Sequence, residues 1–461
     1  MDTVSTSKNH ISDLFGRINY ERHSRPVPGD FKLANMSTLL KRLGNPHLKY
    51  PVIHVAGTKG KGSVSAFIGS ILECCGYRTG IYSSPHLERI NQRIVIDSLE
   101  ISDDQLELVL RKLQPTIEQL DNEAKTAGSR KLTFFEVITA TAFQHFSDTT
   151  VDAAVIEVGL GGRLDSTNLC QPEICVITNI SLDHTKQLGS TVEEIAAEKA
   201  GIIKPGVPVV SGVVEDGPRQ VIADIAAERN APLIELARDF DFSTNLESLG
   251  NFDFCEILPA GKRNYLTNVA CRMLGTHQHQ NASIAIAVCR WLLSQGWCIN
   301  KELIREGLAK AFLPGRCEIA NRQPLVILDI AHNEASTISL AEVLKSEPLG
   351  FDQSTNKSLI FAVSKEKDAA AMLAPLLPLF DQIYVTKFQN NPRGRSAAEI
   401  GKIADSLAAE CESDVDISIA DSPELAWQTA MKQNSDDAAI CVTGSAFLIA
   451  ELRPLLLKKS N

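Results

Sequence analysis

Residues 52–68 read VIHVAGTKGKGSVSAFI. An apolar run suited to a buried strand leads into GTKGKGS, a stretch of glycine, lysine and small hydroxyl residues. Beyond it Val64, Phe67, Ile68, Ile71, Leu72 and Cys75 recur at helical spacing until Gly76 ends the pattern. The order is therefore strand, glycine loop, helix, with the positive end of the helix dipole aimed at the loop. Gly57, Gly60 and Gly62 lack the Cβ that would keep an anion away from consecutive N–H groups. Lys61 is placed to reach outer phosphates, and the Ser63 hydroxyl to sit on a magnesium ion. The match to the general phosphate loop G-x-x-x-x-G-K-[ST] is incomplete: Val55 stands at its first glycine and Gly62 separates lysine from serine. Taken alone the loop also reads as an ordinary strand-to-helix turn; the flanking elements favour nucleotide.

At 461 residues the chain exceeds what one core supports, and two domains are expected. The composition, 44% apolar and 22% charged, is that of an ordinary globular protein, with no internal repeat. No apolar run approaches the roughly 18 residues of a membrane span. The opening stretch MDTVSTSKNHISDLF lacks the layout of a signal peptide. Eleven cysteines without C-x-x-C pairing read as reduced thiols in a cytoplasm. A net charge of −10 with no basic stripe speaks against a nucleic-acid partner, so attraction of anionic substrates must be local.

Apolar runs alternate with amphipathic stretches, which predicts doubly wound α/β layers. One series of strands is VIHVA, TGIYSS, DAAVIEVG, EICVITNIS and PVVSGVV; a second is LVILDIA, SLIFAVS, QIYVTKF, DISIAD and AAICVTG. Between them lies the helical NKELIREGLAKAF, then LPGR, the expected hinge near residues 313–316. This divides the chain into an N-terminal domain, 1–313, and a smaller C-terminal α/β domain, 314–461. Ligands of open α/β sheets gather at the carboxyl ends of strands, so the polar strand endings are the candidate sites.

Glu157 stands near the end of an apolar run, where a buried carboxylate needs a metal ion or a salt bridge as partner. With Ser63, Ser84 and His184 at other strand ends, mostly oxygen ligands suggest Mg²⁺ rather than zinc. In STVEEIAAEKAGIIKPG, Thr191 and Glu194 form a capping box and Gly201 closes the helix. Lys199 shares a face with Ile195; complementing the helix dipole is its plainer reading. Arg316, Asp329 and His332 fall near the expected hinge, where an arginine braces an interface or a strand-ending aspartate and histidine mark a site.

Together these motifs resemble the folylpolyglutamate synthase / dihydrofolate synthase family, a branch of the Mur-type ATP-dependent amide ligases. The resemblance runs from LLKRLGNP to CVTGSAFL, through GTKGKGS, SSPHLERINQRI, TFFE, EVGLGGRLDSTN, TNISLDH and LGSTVEEIAAEKAGIIK. It implies a P-loop doubly wound N-terminal domain of Mur-ligase type and a Rossmann-like C-terminal domain. It implies that Lys59, Gly60, Lys61, Gly62 and Ser63 hold ATP phosphates, and that Asn281, Arg316 and Asp329 contact the nucleotide. Ser84, Glu157 and His184 match magnesium positions. Lys199 matches a lysine that family members carry as an N6-carboxylysine, which would help hold a second Mg²⁺; a K⁺ ion also belongs to this expectation. Thr133, Phe134, Phe135 and Glu136, with Leu164, Asp165 and Ser166, match the pterin-substrate pocket of bifunctional members. The chain departs from the pattern at Lys59, where most relatives have asparagine, and at Ser166, where alanine is common.

The implied chemistry is ligation. ATP phosphorylates a pterin carboxylate, and the α-amine of L-glutamate attacks the acyl phosphate. Lys61 and Lys199 act at the reacting groups, and His332 orients the glutamate. The substrates implied are dihydropteroate or a tetrahydrofolate, glutamate and ATP, handled by a cytoplasmic monomer without a membrane or nucleic-acid partner. A monofunctional folylpolyglutamate synthase is the nearest alternative. A P-loop kinase or nucleotide hydrolase would need no glutamate, and a non-catalytic paralogue would lack the magnesium groups. A cell-wall ligase would lack TFFE and EKAGIIK.

Overall fold

The strand that the glycine loop follows sits at the centre of its sheet. A computed structural model describes residues 9–20, 33–245, 250–346 and 349–457; residues 1–8 of the stretch read for a signal peptide lie outside them. In chain order the first eight strands are β1 (Val52–Ala56), β2 (Thr79–Tyr82), β3 (Ile94–Ile96), β4 (Leu99–Glu100), β5 (Ala153–Glu157), β6 (Ile174–Ile177), β7 (Val209–Ser211) and β8 (Leu233–Glu235). They form one sheet in the order β4-β3-β2-β5-β1-β6-β7-β8. Pairs from β2 to β8 are parallel, and β3 and β4 extend one edge antiparallel. All residues of β1, β5 and β6 are buried, as parallel strands covered on both faces must be.

The covering helices explain that burial. Phe134–Asp148 places Phe134, Phe143 and Phe146 in one core with Val52 and Ile156. Ile195 from Val192–Ala200 and Ile222 from Asp216–Glu228 join Ala56, Ile177 and Val209 in another. Each such side chain contributes about 1.5–3 kcal/mol of transfer free energy. The chain winds from β1 toward β2 on one side and from β6 to β8 on the other, so the strand order reverses at β1. Register sets Val55 beside Glu157 and Ala56 beside Ile177. The carboxyl ends of β5, β1 and β6 thereby stand in one row.

Strands β9 (Phe240–Thr244), β10 (Asn251–Ile257) and β11 (Arg263–Ala270) make a three-stranded sheet. The last six are β12 (Glu318–Arg322), β13 (Leu325–Leu328), β14 (Lys357–Phe361), β15 (Gln382–Val385), β16 (Asp416–Ile419) and β17 (Ala439–Thr443), in the order β12-β13-β17-β14-β15-β16. Only the β12–β13 pair is antiparallel. Ile327, Leu359, Ile383 and Cys441, one from each of four neighbouring strands, share a buried core. The described residues form two units, one within 1–242, 254–269 and 280–311, the other within 243–253, 270–279 and 312–461.

All ten apolar runs read as strands are strands, and Lys301–Lys310 is the helix expected before LPGR. The Thr191–Glu194 capping box is formed, with Gly201 at the C-cap. Strands β3, β4 and β8 to β12 were not legible as such. Among the described residues no helix is long and apolar enough to cross a membrane.

Candidate active site

The loop between β1 and the helix Lys61–Cys74 is held by the strand end next to it. The Thr178 hydroxyl donates to the Lys59 carbonyl at 2.6 Å. The Lys59 amide donates to Asn179 Oδ1 at 2.8 Å, and the Thr58 amide to the Asn179 carbonyl at 2.9 Å. The Ser181 amide donates to Thr58 Oγ1 at 3.1 Å. Gly60 is the N-cap at φ 81°, a left-handed conformation that favours glycine. A Cβ on Gly60 would overlap the Asn281 carboxamide, and one on Gly57, at φ 151°, would overlap the Thr178 hydroxyl. We expect Gly57→Ala to displace Thr178, release the Lys59 carbonyl and weaken ATP binding at least tenfold, read by calorimetry. Unchanged affinity would show that the clamp does not set the loop.

Lys61 opens the helix and Gly62 and Ser63 follow in its first turn, with Ser63 buried. The Lys61 ammonium lies 4.0 Å from Glu157 Oε1. Glu157 ends β5, only 5% exposed, and its Oε2 is 3.4 Å from the Ser84 amide. Lys199 projects from the last turn of Val192–Ala200 and donates to the Gly57 carbonyl at 2.8 Å. Burial, reinforced by the Lys61 charge, pushes the Lys199 ammonium down to about 7. A small cleft is lined by Gly57, Thr58, Lys61, Val158, Gly159, Leu160, Gly161, Asp183, His184 and Lys199. His184 is exposed there in a left-handed conformation, its amide bonded to Asp183 Oδ1. Two lysines, one of them 4.0 Å from a buried carboxylate, thus line a space suited to polyanionic phosphate.

The two segments matched to a substrate pocket meet at the glycine loop that follows β5. Thr133 caps Phe134–Asp148 reciprocally with Glu136, which also pairs with Arg130 at 2.7 Å. Phe134 is buried beneath the Arg93 guanidinium, 5.2 Å from its ring centroid. Phe135 packs so closely on Gly159 that a Cβ there would overlap its ring. Asp165 is buried and accepts from the Leu160 and Thr167 amides, while Leu164 and Ser166 keep partial exposure. Burial raises the Asp165 carboxyl, against the pull of these hydrogen bonds.

Arg316, Asp329 and His332 belong to the second unit. Asp329 accepts from the Cys317 amide at 2.9 Å and the Ala331 amide at 2.8 Å; burial raises its carboxyl, and the Arg316 charge opposes that. Arg316 Nε is buried without a hydrogen-bond partner among the described residues. His332 is exposed, with Nδ1 3.0 Å from the Ile330 carbonyl.

Sequence reasoning missed Thr178, Asn179 and Ser181, whose part follows from the pairing of β1 with β6. It also missed the buried Arg93. The only sequence signal was a polar TN directly after four buried apolar residues.

Comparison with known proteins agrees with this architecture. Residues 55–289 match the Mur ligase middle domain, and residues 316–457 match the dihydrofolate synthetase C-terminal domain. The chain is 36% identical to the dihydrofolate synthase/folylpolyglutamate synthase of Bacillus subtilis over 433 residues, covering 92% of this chain and 94% of that one. It is 30% identical to the Escherichia coli protein of the same name over 440 residues, covering 94% and 93%. Among solved structures, folylpolyglutamate synthase from Thermotoga maritima superposes with a TM-score of 0.81 at 32% identity, covering 97% of this chain and 96% of that one. E. coli FolC in complex with DHPP and ADP gives 0.81 at 29% identity over the full length of both. With the switch-point loop and both halves of the chain accounted for, this protein belongs to the dihydrofolate synthase/folylpolyglutamate synthase family.

Proposed function

We propose that the chain is an ATP-dependent ligase that joins L-glutamate to a folate-type carboxylate, acting both on dihydropteroate and on reduced folates already carrying glutamate. The observation that carries this reading is the cleft in which Lys61, Lys199 and the glycine-loop amides converge beside buried Glu157. A carboxylate is a poor acyl donor. One of its oxygens attacks the γ-phosphorus of ATP and ADP leaves. The neutral α-amine of glutamate then attacks the acyl carbon, loses a proton, and phosphate departs with that oxygen.

Lys61 and the amides of Gly60 to Ser63 stabilise charge on the transferred group. Asn281, beside Gly60, together with Arg316 and Asp329, serves the nucleotide, and Lys59 lies along the phosphates. Phe135, Leu164 and Ser166 offer surface to the pterin, with Thr133, Phe134, Glu136 and Asp165 shaping the pocket. His332 orients glutamate. Ser84 and Glu157 adjoin and His184 lines the cleft, a donor set that fits Mg²⁺ completed by water and phosphate. Bound there, the ion would neutralise phosphate charge. An amine near pKa 7 is neutral often enough to add CO₂, releasing one proton, so Lys199 suits a carbamate that holds a second ion. We place the enzyme in the cytoplasm as a monomer, with domains of 1–313 and 314–461.

The test offers MgATP and labelled glutamate with dihydropteroate or a reduced folate, and identifies products by mass. We expect dihydrofolate from the first and a one-glutamate extension from the second. Product from the reduced folate alone would leave a monofunctional folylpolyglutamate synthase; ATP turnover unaffected by omitting glutamate would leave a kinase or hydrolase.

A further inference from the structure

The histidine in the middle of β1, His54, has no part in the chemistry above, yet it is fully buried. Its Nε2 lies 2.9 Å from Thr167 Oγ1. The Thr167 hydroxyl donates to Asp165 Oδ1 at 2.6 Å, and the Thr167 amide donates to the same oxygen at 3.0 Å. The other oxygen, Oδ2, accepts the Leu160 amide at 2.9 Å. A hydroxyl has one proton, and here Asp165 receives it. The imidazole must therefore donate through Nε2–H, leaving Nδ1 as a bare acceptor. That atom is the one found buried without a partner among the described residues. A charged ring would strand a second N–H there, and burial accordingly holds His54 down to about 3.

The chain His54, Thr167, Asp165 ends on a wall of the cleft. Leu160 lies between Gly159, which abuts the Phe135 ring, and Gly161, at φ 69°. All three line the space holding Lys61 and Lys199. Gly161 also packs against Leu188, and at the next residue, Gly162, a Cβ would come within 2.8 Å of the Glu198 and Lys199 carbonyls. The phosphate loop is held by other residues, Thr178, Asn179 and Ser181 on one side and Lys199 at the Gly57 carbonyl.

We propose that His54 and Thr167 are positioning residues: acting through Asp165, they hold the Gly159–Gly161 wall against Phe135 and so set the fit of the carboxylate-bearing folate substrate. The inference rests on the ligase reading for its substrate, though not for its geometry. The chain from His54 to Asp165 makes none of the Thr178, Asn179 and Ser181 bonds to the phosphate loop, so loosening it affects the folate substrate more than the nucleotide.

Thr167→Val, which exchanges hydroxyl for methyl at equal volume, is the direct test, with His54→Leu beside it. Both raise KM for dihydropteroate or the reduced folate at least fivefold, and leave KM for glutamate and the Kd for ADP within twofold. Thr167→Ser and His54→Gln, which keep a donor in place, retain wild-type KM values. Hydrogen exchange at the Leu160 amide accelerates at least tenfold in Thr167→Val. A merely structural loss would lower kcat through the active fraction with every KM unchanged. That pattern, with Leu160 exchange unaltered, overturns the proposal. Should wild type make no amide product, the ligase reading fails, while Leu160 exchange still decides the relay. If His54→Leu does not fold, Thr167→Val carries the test.

Discussion

Replacing Lys61 with alanine lowers the ligation rate by a factor of about 10²–10³ and leaves the protein folded. The ammonium sits at the first position of the helix after the phosphate loop, facing the cleft. Its nearest carboxylate is 4.0 Å away, and its bond to the Thr58 carbonyl is a long 3.4 Å. Neither contact is short enough to anchor the fold, so the stability cost should stay within about 1 kcal/mol. Losing a positioned cation where phosphoryl charge develops costs about 3–4 kcal/mol of barrier. Lys61→Arg should not restore the rate, because a planar fork cannot replace a point charge on a four-carbon stem. Steady-state kcat and a thermal melt measured together separate the two effects. A kcat within threefold of wild type would remove Lys61 from the chemistry.

Lys199→Met is expected to abolish measurable ligation and to stabilise the fold at pH 6. The wild-type ammonium is 5% exposed and held near pKa 7 against an ordinary 10.5. A group whose folded pKa is depressed this way binds its proton more weakly when folded. Between pH 7 and 10.5 the unfolded chain holds the proton and the folded chain does not, so stability rises with pH across that window. The whole difference amounts to about 4–5 kcal/mol, an order-of-magnitude figure. Methionine lacks this penalty but leaves the Gly57 carbonyl without its donor, which returns about 1–3 kcal/mol. The variant should therefore gain about 2 kcal/mol at pH 6, a gain that disappears by pH 9. Denaturant titrations in CO₂-free buffer at both pH values check this. Equal stability differences at the two would show that the lysine is not strained, and full activity would return it to the role of a helix-end charge.

Such strain is what distinguishes the site from its scaffold, and it marks what the sequence could and could not reveal. β1, β5 and β6 were readable because parallel strands covered on both faces are unbroken apolar text, and a carboxylate such as Glu157 stands out within it. The glycine loop was readable because only glycine tolerates Gly60's conformation beside Asn281. β4 is two exposed residues and β11 is mostly solvated, so neither has a pattern to read. β12 carries an irregularity between Ile319 and Asn321 that breaks its alternation. Thr178 and Asn179 act through register, which no local pattern encodes. His54 looked like one more strand residue, since nothing nearby announces Thr167, 113 positions on. The Thr133–Glu136 pair was legible only as a substrate motif, and the structure shows that it also forms a capping box.

The central claim is that nucleotide phosphates occupy the cradle of Gly57 to Ser63 with a divalent ion beside Glu157. A crystal structure with a non-hydrolysable ATP analogue and Mn²⁺ tests it through the anomalous signal of the metal. The account predicts phosphates over the loop amides, Lys61 turned onto them, and a manganese peak within about 2.5 Å of Ser84 Oγ and a Glu157 oxygen, with His184 closing the shell. Nucleotide bound away from this loop, or a metal that none of these three residues touches, would contradict it.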